Sequence, residues 1–216
     1  ILLVLLGLIS MSWYADKLYA ASYRQARSGQ YIQAKQKAEL ALLLNPTEPV
    51  YHDEFASTLA SLAVAAFDQK DATLAAELAQ RALSQNDQAI IASPKNVNFW
   101  KTRTKLYYAF SAFDPKFNQA AITALEKASE LSPNDPKIYY NLAILYGRGG
   151  ANDMAIDLLK KTISLKSNYH DAYYALYVFY VEMKKPDLGR TILEDYLKNV
   201  DPEDKNFTEI LSKSKP

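Results

Sequence analysis

The most obvious acid–base groups in these 216 residues are two histidines, each followed by an aspartate: His52-Asp53 and His170-Asp171. An imidazole oriented by a carboxylate can move a proton or hold a metal, but either task needs further groups close by. The two histidines are far apart in sequence. Each falls near the start of a helix-forming stretch, where aspartate suits the positive end of the helix dipole. Capping or surface positions are therefore expected for them, and no metal site. Gly147-Arg148-Gly149-Gly150 has the glycines of a phosphate loop, but no strand precedes it and no Lys-Ser/Thr follows it. It reads as a turn between two helices. No GxSxG, Walker, GxGxxG or HExxH pattern occurs. The absence of cysteine excludes thiol nucleophiles, disulfides and Cys-ligated zinc or iron–sulfur centres. With 25 Lys+Arg against 24 Asp+Glu, the net charge of +1 gives no basic excess to displace counterions from phosphates. Nucleic acid is not an expected partner. The remaining carboxylates sit at helical spacing, as solvated helix faces do. These residues predict a protein without enzymatic site, cofactor or metal.

The elements that must position any site are helices. Six glycines and nine prolines are few for a turn-rich β domain, and the 49% apolar content is rich in Ala, Leu and Tyr. Self-similarity at a fixed spacing is the main signal. Laying Gly29–Pro49 over Lys116–Pro136 puts Ala34, Ala38 and Ala41 on Ala121, Leu125 and Ala128, and Pro46 on Pro133. Each of those prolines is followed by a second one, Pro49 or Pro136. A third copy from Gly150 keeps Ala155 and Leu159.

This pattern resembles the tetratricopeptide repeat (TPR) family, in which 34 residues form two antiparallel helices with small and aromatic residues at fixed places. The copy starting at Pro136 has Tyr139, Ala143, Tyr146, Gly150 and Ala155 at those places, and the copy starting at Val97 has Trp100, Tyr107, Ala121, Ala128 and Pro133. The copy from His170 has Tyr173, Tyr180 and Gly189, and the copy from Ala15 has Ser22, Gly29, Tyr31, Ala34, Ala41 and Pro46. The resemblance implies an all-α solenoid, a right-handed superhelix of helix–turn–helix repeats. Five repeats are expected over 15–201 (15–48, 49–96, 97–135, 136–169 and 170–201), with a tail or cap at 202–216. The 49–96 copy is long, and its signature Ala75, Ala79, Ala82 and Leu83 comes late, so both its helices should carry about two extra turns. The 97–135 copy has extra residues around Ala109–Pro115.

Small residues at the recurrent places let helices approach closely, and no single hairpin can bury its apolar face alone. Most of the 16 tyrosines are expected in that packing. In the family, set positions of each first helix line a concave groove. Carried onto this sequence they are Tyr19, Tyr23 and Arg27, then Lys101, Lys105 and Tyr108, then Tyr140 and Arg148, then Tyr174 and Glu182. Tyr and Arg are the residue types that anchor interfaces. The implied partner is a protein or peptide. Lys101 and Lys105 supply charge where some TPR proteins clamp a terminal carboxylate, but the accompanying asparagine is missing.

The N-terminus differs in character. Ile1, Leu2, Leu3, Leu5, Leu6, Leu8 and Ile9 make an apolar run, Trp13 and Tyr14 follow, and the first charges are Asp16 and Lys17. That order resembles the end of a membrane span with its interfacial aromatics. Residues 1–14 would rise only about 21 Å as a helix, short of the roughly 30 Å hydrocarbon core. They are expected to continue into the first repeat helix and to be covered either by a membrane or by further copies of the protein, in an oligomer or a filament. The stretch Asn45–Ala60 and the long second copy also resemble the C-terminal TPR region of bacterial O-antigen ligase-like membrane proteins. Three readings follow. The first is a non-enzymatic scaffold outside the cytoplasm, membrane-anchored or self-assembling. The second is the repeat domain of a membrane glycan ligase or polymerase, binding partner proteins or glycan carriers. The third is a cytosolic peptide-binding adaptor, which the apolar N-terminus disfavours. The sequon Asn206-Phe207-Thr208 is compatible with export.

Overall fold

The computed structural model describes the chain from Leu2 to Lys213, with side chains from Leu6 onward. Every regular element among the described residues is an α-helix, in the order α1 (Leu2–Arg27), α2 (Tyr31–Leu44), α3 (Pro49–Asp68), α4 (Ala72–Ala92), α5 (Val97–Phe110), α6 (Lys116–Leu131), α7 (Pro136–Arg148), α8 (Asn152–Leu165), α9 (His170–Glu182), α10 (Pro186–Asn199) and α11 (Lys205–Lys213). The chain divides into two compact units, Ile1–Leu131 and Ser132–Pro216. The first unit stacks three hairpins, α1/α2, α3/α4 and α5/α6. The second stacks α7/α8 and α9/α10 and ends in α11.

Local chemistry explains where the helices start and stop. Pro49, Pro136 and Pro186 open α3, α7 and α10 from the first turn, where proline loses no needed N–H. Asp71, Asn96 and Asp135 cap α4, α5 and α7 by accepting from the backbone N–H of Leu74, Asn98 and Lys137 at 2.9–3.0 Å. Four hairpins turn with one hydrogen-bond pattern. The N–H groups of Gln30, Asp71, Ala151 and Lys185 return to the carbonyls of Gln25, Ala66, Tyr146 and Tyr180. This is a helix stop of the Schellman kind, and it needs a left-handed residue. Gly29 and Gly150 fill that place at φ 77° and 81°, whereas Lys70 and Lys184 occupy it at φ 66° and 59°. The α5/α6 hairpin turns differently, through Ser111–Asp114.

Packing follows the small residues. Ala34, Ala41, Ala82, Ala121, Ala128, Ala143 and Ala155 are fully buried where helices meet. Ser22 takes an alanine's place and donates to the Ala34 carbonyl at 2.8 Å across the α1/α2 contact. The aromatic or His near the start of α3, α5, α7 and α9 has a second task. Trp100 Nε1–H donates to the Pro94 carbonyl at 2.9 Å, and the Tyr139 and Tyr173 hydroxyls donate to the Pro133 and Ser167 carbonyls at 2.9 and 3.0 Å. Each carbonyl lies six residues upstream, so the ring pins the turn that enters its own helix. His52 does the same: its Nε2 lies 2.9 Å from the Pro46 carbonyl, and a carbonyl only accepts, so Nε2 carries the proton.

The two departures from the repeat length meet in space. α3 and α4 run 20 and 21 residues. Phe67 near the end of α3 stacks on Phe113 from the α5/α6 turn, with ring centroids 4.4 Å apart. Phe110 and Phe117 pack against that same turn. The added turns of one hairpin thus support the added residues of the next.

Residues 2–14 are the first half of α1 rather than a separate element. From Leu6 to Tyr14 every side chain is exposed, and Ala15 is the first buried one. No helix among the described residues is long and apolar enough to cross a membrane. At the other end α11 sets the buried Phe207 against His170 and Tyr196, at centroid distances of 4.3 and 4.8 Å. His170 also reaches Asp204 at 3.1 Å. Both histidines are therefore held in structural contacts.

Candidate functional site

Each unit carries a groove lined mainly by first helices. In the first unit, α1 contributes Tyr23 and Arg27, α3 contributes Asp53, Glu54, Ser57 and Ser61, α5 contributes Thr102 and Lys105, and Tyr31 comes from α2; the groove holds about 470 Å³. The spacing of 54, 57 and 61 puts those side chains on one face of α3.

Asp53 is fixed in place. Its carboxylate accepts from Asn86 Nδ2 at 2.8 Å and from Thr102 Oγ1 at 2.9 Å. Asn86 is itself fully buried and donates to the Phe99 carbonyl at 3.2 Å. Behind it Arg103, only 9% exposed, donates to Asn86 Oδ1, Asp87 and the Leu83 carbonyl. A buried guanidinium and a buried amide thus lock α4 to α5 and hold Asp53 from behind. Burial pushes the Asp53 carboxyl up to about 6, against the bonds from Thr102 and Asn86 and the charges of Lys105 and Arg103. Its neighbour Glu54 goes up to about 7, through burial and then repulsion from Asp53, opposed by Arg27.

In the second unit α7 supplies Tyr140, Ile144 and Arg148, and α9 supplies Tyr174, Val178, Phe179 and Glu182, around about 350 Å³. A Cβ at Gly147 would stand 2.1 Å from the tip of the Phe179 ring, so any other residue there would push that ring out of its place in the groove. Tyr140 stacks on Tyr169 at 5.3 Å and has its hydroxyl pKa raised by burial and by Asp171. Tyr174 is 44% exposed, an aromatic face open to a ligand.

The structure brings Tyr140, Arg148, Tyr174 and Glu182 into one groove and Tyr23, Arg27 and Lys105 into the other. Tyr19, Lys101 and Tyr108 do not line either. Tyr19 stacks instead on Tyr51 at 5.0 Å, and burial, then the charge of Glu54, raises its pKa. The α3 wall of the first groove, Asp53, Glu54, Ser57 and Ser61, was not among the sequence-predicted residues. The positions that gave Tyr19, Tyr23 and Arg27, applied to the repeat from Pro49, would have reached Asp53, Ser57 and Ser61. Leu6, Leu8, Ile9, Trp13 and Tyr14 are all exposed, while the side chains of Ile1, Leu2, Leu3 and Leu5 lie outside the described residues. Among the described residues no group of three or more His, Asp or Glu is placed to hold a metal ion.

Residues 118–150 match the family model described as a TPR repeat. No curated protein matches the chain in sequence. Among solved structures it is similar to a thermophilic TPR protein of Thermus thermophilus, at 18% identity over 92% of this chain and 97% of that one, with a TM-score of 0.60. It is similar to MamA of Desulfovibrio magneticus, at 16% identity over 88% and 97%, with a TM-score of 0.64. YrrB, described as a TPR protein with an unusual peptide-binding site, aligns at 15% identity over 91% and 90%, with a TM-score of 0.60. At these identities the likeness is one of fold. Helical hairpins turning on left-handed residues, small residues at their crossings and grooves between first helices define the class: this is a TPR-type α-solenoid. The matched residues cover most of α6 and all of α7.

Proposed function

We propose that this chain is a non-enzymatic scaffold that binds protein or peptide segments in the grooves between its first helices. The observation that carries this reading is the groove of the second unit. Two tyrosines stand over a floor of Ile144, Ala175, Val178 and Phe179, with Arg148 and Glu182 at one end. Rigid aromatic faces over an apolar floor, with charged groups at the margin, have the composition of an interface centre rather than of a catalytic pocket. A peptide-binding site is described for YrrB, whose fold this chain shares. Selection of a displayed random 12-residue peptide library on the whole chain tests the proposal. Binders should lose about fivefold or more in affinity on Tyr140→Ala or Tyr174→Ala, the effect of an anchor residue. Unchanged affinity in both variants would move the interface elsewhere.

The scaffold is further proposed to act outside the cytoplasm, held through the N-terminal half of α1. Leu6, Leu8, Ile9, Met11, Trp13 and Tyr14 are all exposed around that helix, and Lys17 lies 3.8 Å over the Trp13 ring. Covering an apolar side chain stabilises by about 1.5–3 kcal/mol, so a bilayer surface or further copies in an oligomer or filament would gain substantially from this helix. Removing residues 1–14 separates the two. Loss of co-sedimentation with lipid vesicles supports anchoring, and loss of large particles in detergent-free light scattering supports assembly. A full-length chain that is monomeric and leaves vesicles unbound would refute both. Activity of a fused alkaline phosphatase, which matures only in an oxidising compartment, reports the location.

A further inference from the structure

Two polar groups in the first unit's groove lack a hydrogen bond or a close ion pair, Arg27 acting on Glu54 only from beyond ion-pair distance. Glu54 is half-buried in its wall, and among the described residues no Lys, Arg or His lies within the 4.0 Å of an ion pair with it. One turn along the same face of α3, the Thr58 hydroxyl is 1% exposed and has no hydrogen-bond partner. Native interiors pair nearly all such groups, and an orphan oxygen signals a missing donor. The groups around Glu54 do not supply one. Asp53 is already engaged by Asn86 and Thr102, and it repels a second negative charge. Arg27 lies over the Tyr23 ring, 5.5 Å from its centroid, and Lys105 is exposed on α5.

We propose that this groove takes a cationic group of a bound peptide, a lysine or arginine side chain or an amino terminus, with Glu54 as its counter-ion. The proposal rests on the peptide-binding reading above and names the chemistry of one groove. An ammonium brings three donors and a guanidinium five, enough to serve Glu54 together with the Ser57 and Ser61 hydroxyls that share its wall. Tyr23 and Tyr31 offer aromatic faces to the cation and its aliphatic stem. Arg27 and Lys105 disfavour a free cation without attached acceptors. They favour an extended segment that gives the cation to Glu54 and backbone carbonyls to them.

Proton linkage follows from the same arrangement. Binding a cation removes the proton that burial and Asp53 hold on Glu54, so affinity should rise with pH through about 7. The groups facing Glu54 are Tyr19, Tyr23 and Arg27 of α1, Tyr31 of α2, Asp53 of α3 and Lys105 of α5.

The probe is a panel of synthetic peptides taken from the selected 12-residue binders, measured by fluorescence anisotropy on the whole chain. Basic residues should be enriched among binders that compete for this groove. Glu54→Gln should weaken them about tenfold and abolish their tightening between pH 6 and 8. Replacing the peptide's lysine by norleucine should reproduce the loss. Glu54→Gln removes a half-buried charge, and its far-UV circular dichroism should match the parent's. Binders without basic residues, or basic binders indifferent to Glu54→Gln, overturn this inference and leave the peptide-binding reading standing. A chain that selects no peptide at all removes both.

Discussion

Replacing Arg103 by methionine tests whether the buried network behind the first groove holds α4 to α5. Arg103 is 9% exposed, and it donates to Asn86 Oδ1, to Asp87 and to the Leu83 carbonyl. Methionine keeps most of the stem's packing but none of the donors. Asn86 is fully buried, so its orphaned oxygen costs about 1–3 kcal/mol. The Asp87 side chain is 54% exposed and regains water, so that ion pair contributes only about 0–1 kcal/mol. The total is about 1–4 kcal/mol, or a fall of roughly 2–16 °C in midpoint for a chain of this size. Thermal unfolding followed by circular dichroism at 222 nm, with Arg103→Lys as comparison, reads it directly. Lysine restores one charge but not the planar fork, so it should fall between methionine and the parent. A loss below about 0.5 kcal/mol for Arg103→Met would refute the network as a structural lock.

Glu54 and Asp53 both have carboxyls raised in the folded state, to about 7 and about 6. Their contribution is present below the ordinary carboxylate range and is lost as pH rises through 6–7, so midpoints should fall between pH 5 and 8, and less so in Glu54→Gln. Lys70→Gly should raise stability by up to about 1 kcal/mol, because lysine at φ 66° carries a left-handed cost that glycine lacks; an unchanged or lower midpoint would contradict the turn assignment. Ala155→Leu should cost about 1–3 kcal/mol by overpacking a fully buried helix crossing, and a neutral result would mean the second unit yields there. Phe207→Ala should cost about 3–5 kcal/mol and leave α11 sensitive to limited proteolysis, since Phe207 is the buried residue that fixes this helix on His170 and Tyr196.

An all-helical repeat fold was legible in the chain because its constraints are local and recur. Alanine where helices cross, a left-handed residue where a hairpin turns and proline where a helix opens each act within a few residues, so their spacing alone states the architecture. The ring near each first-helix start was legible as a pattern, but not as a clamp. That Trp100, Tyr139, Tyr173 and even His52 hold the same upstream carbonyl is a matter of geometry. Tyr140, Arg148, Tyr174 and Glu182 could be named in advance because the resemblance to TPR proteins supplies the first-helix positions that line a groove, and those positions fall on one helix face.

What the sequence could not state depends on contacts between distant residues. Asp53 looks like a helix-dipole aspartate until Asn86 and Thr102, from two other helices, are seen to hold it. Arg103 looks like a solvated cation, yet the α4 face opposite makes it the most buried charge of the first unit's network. The long second hairpin and the added residues after Phe110 are separate irregularities in sequence, and only the Phe67–Phe113 stack joins them. Local propensity sets which residues are helical and where they turn. Which polar groups lose water together, and which carboxylate is left without a close counter-ion, is decided by how three hairpins stack.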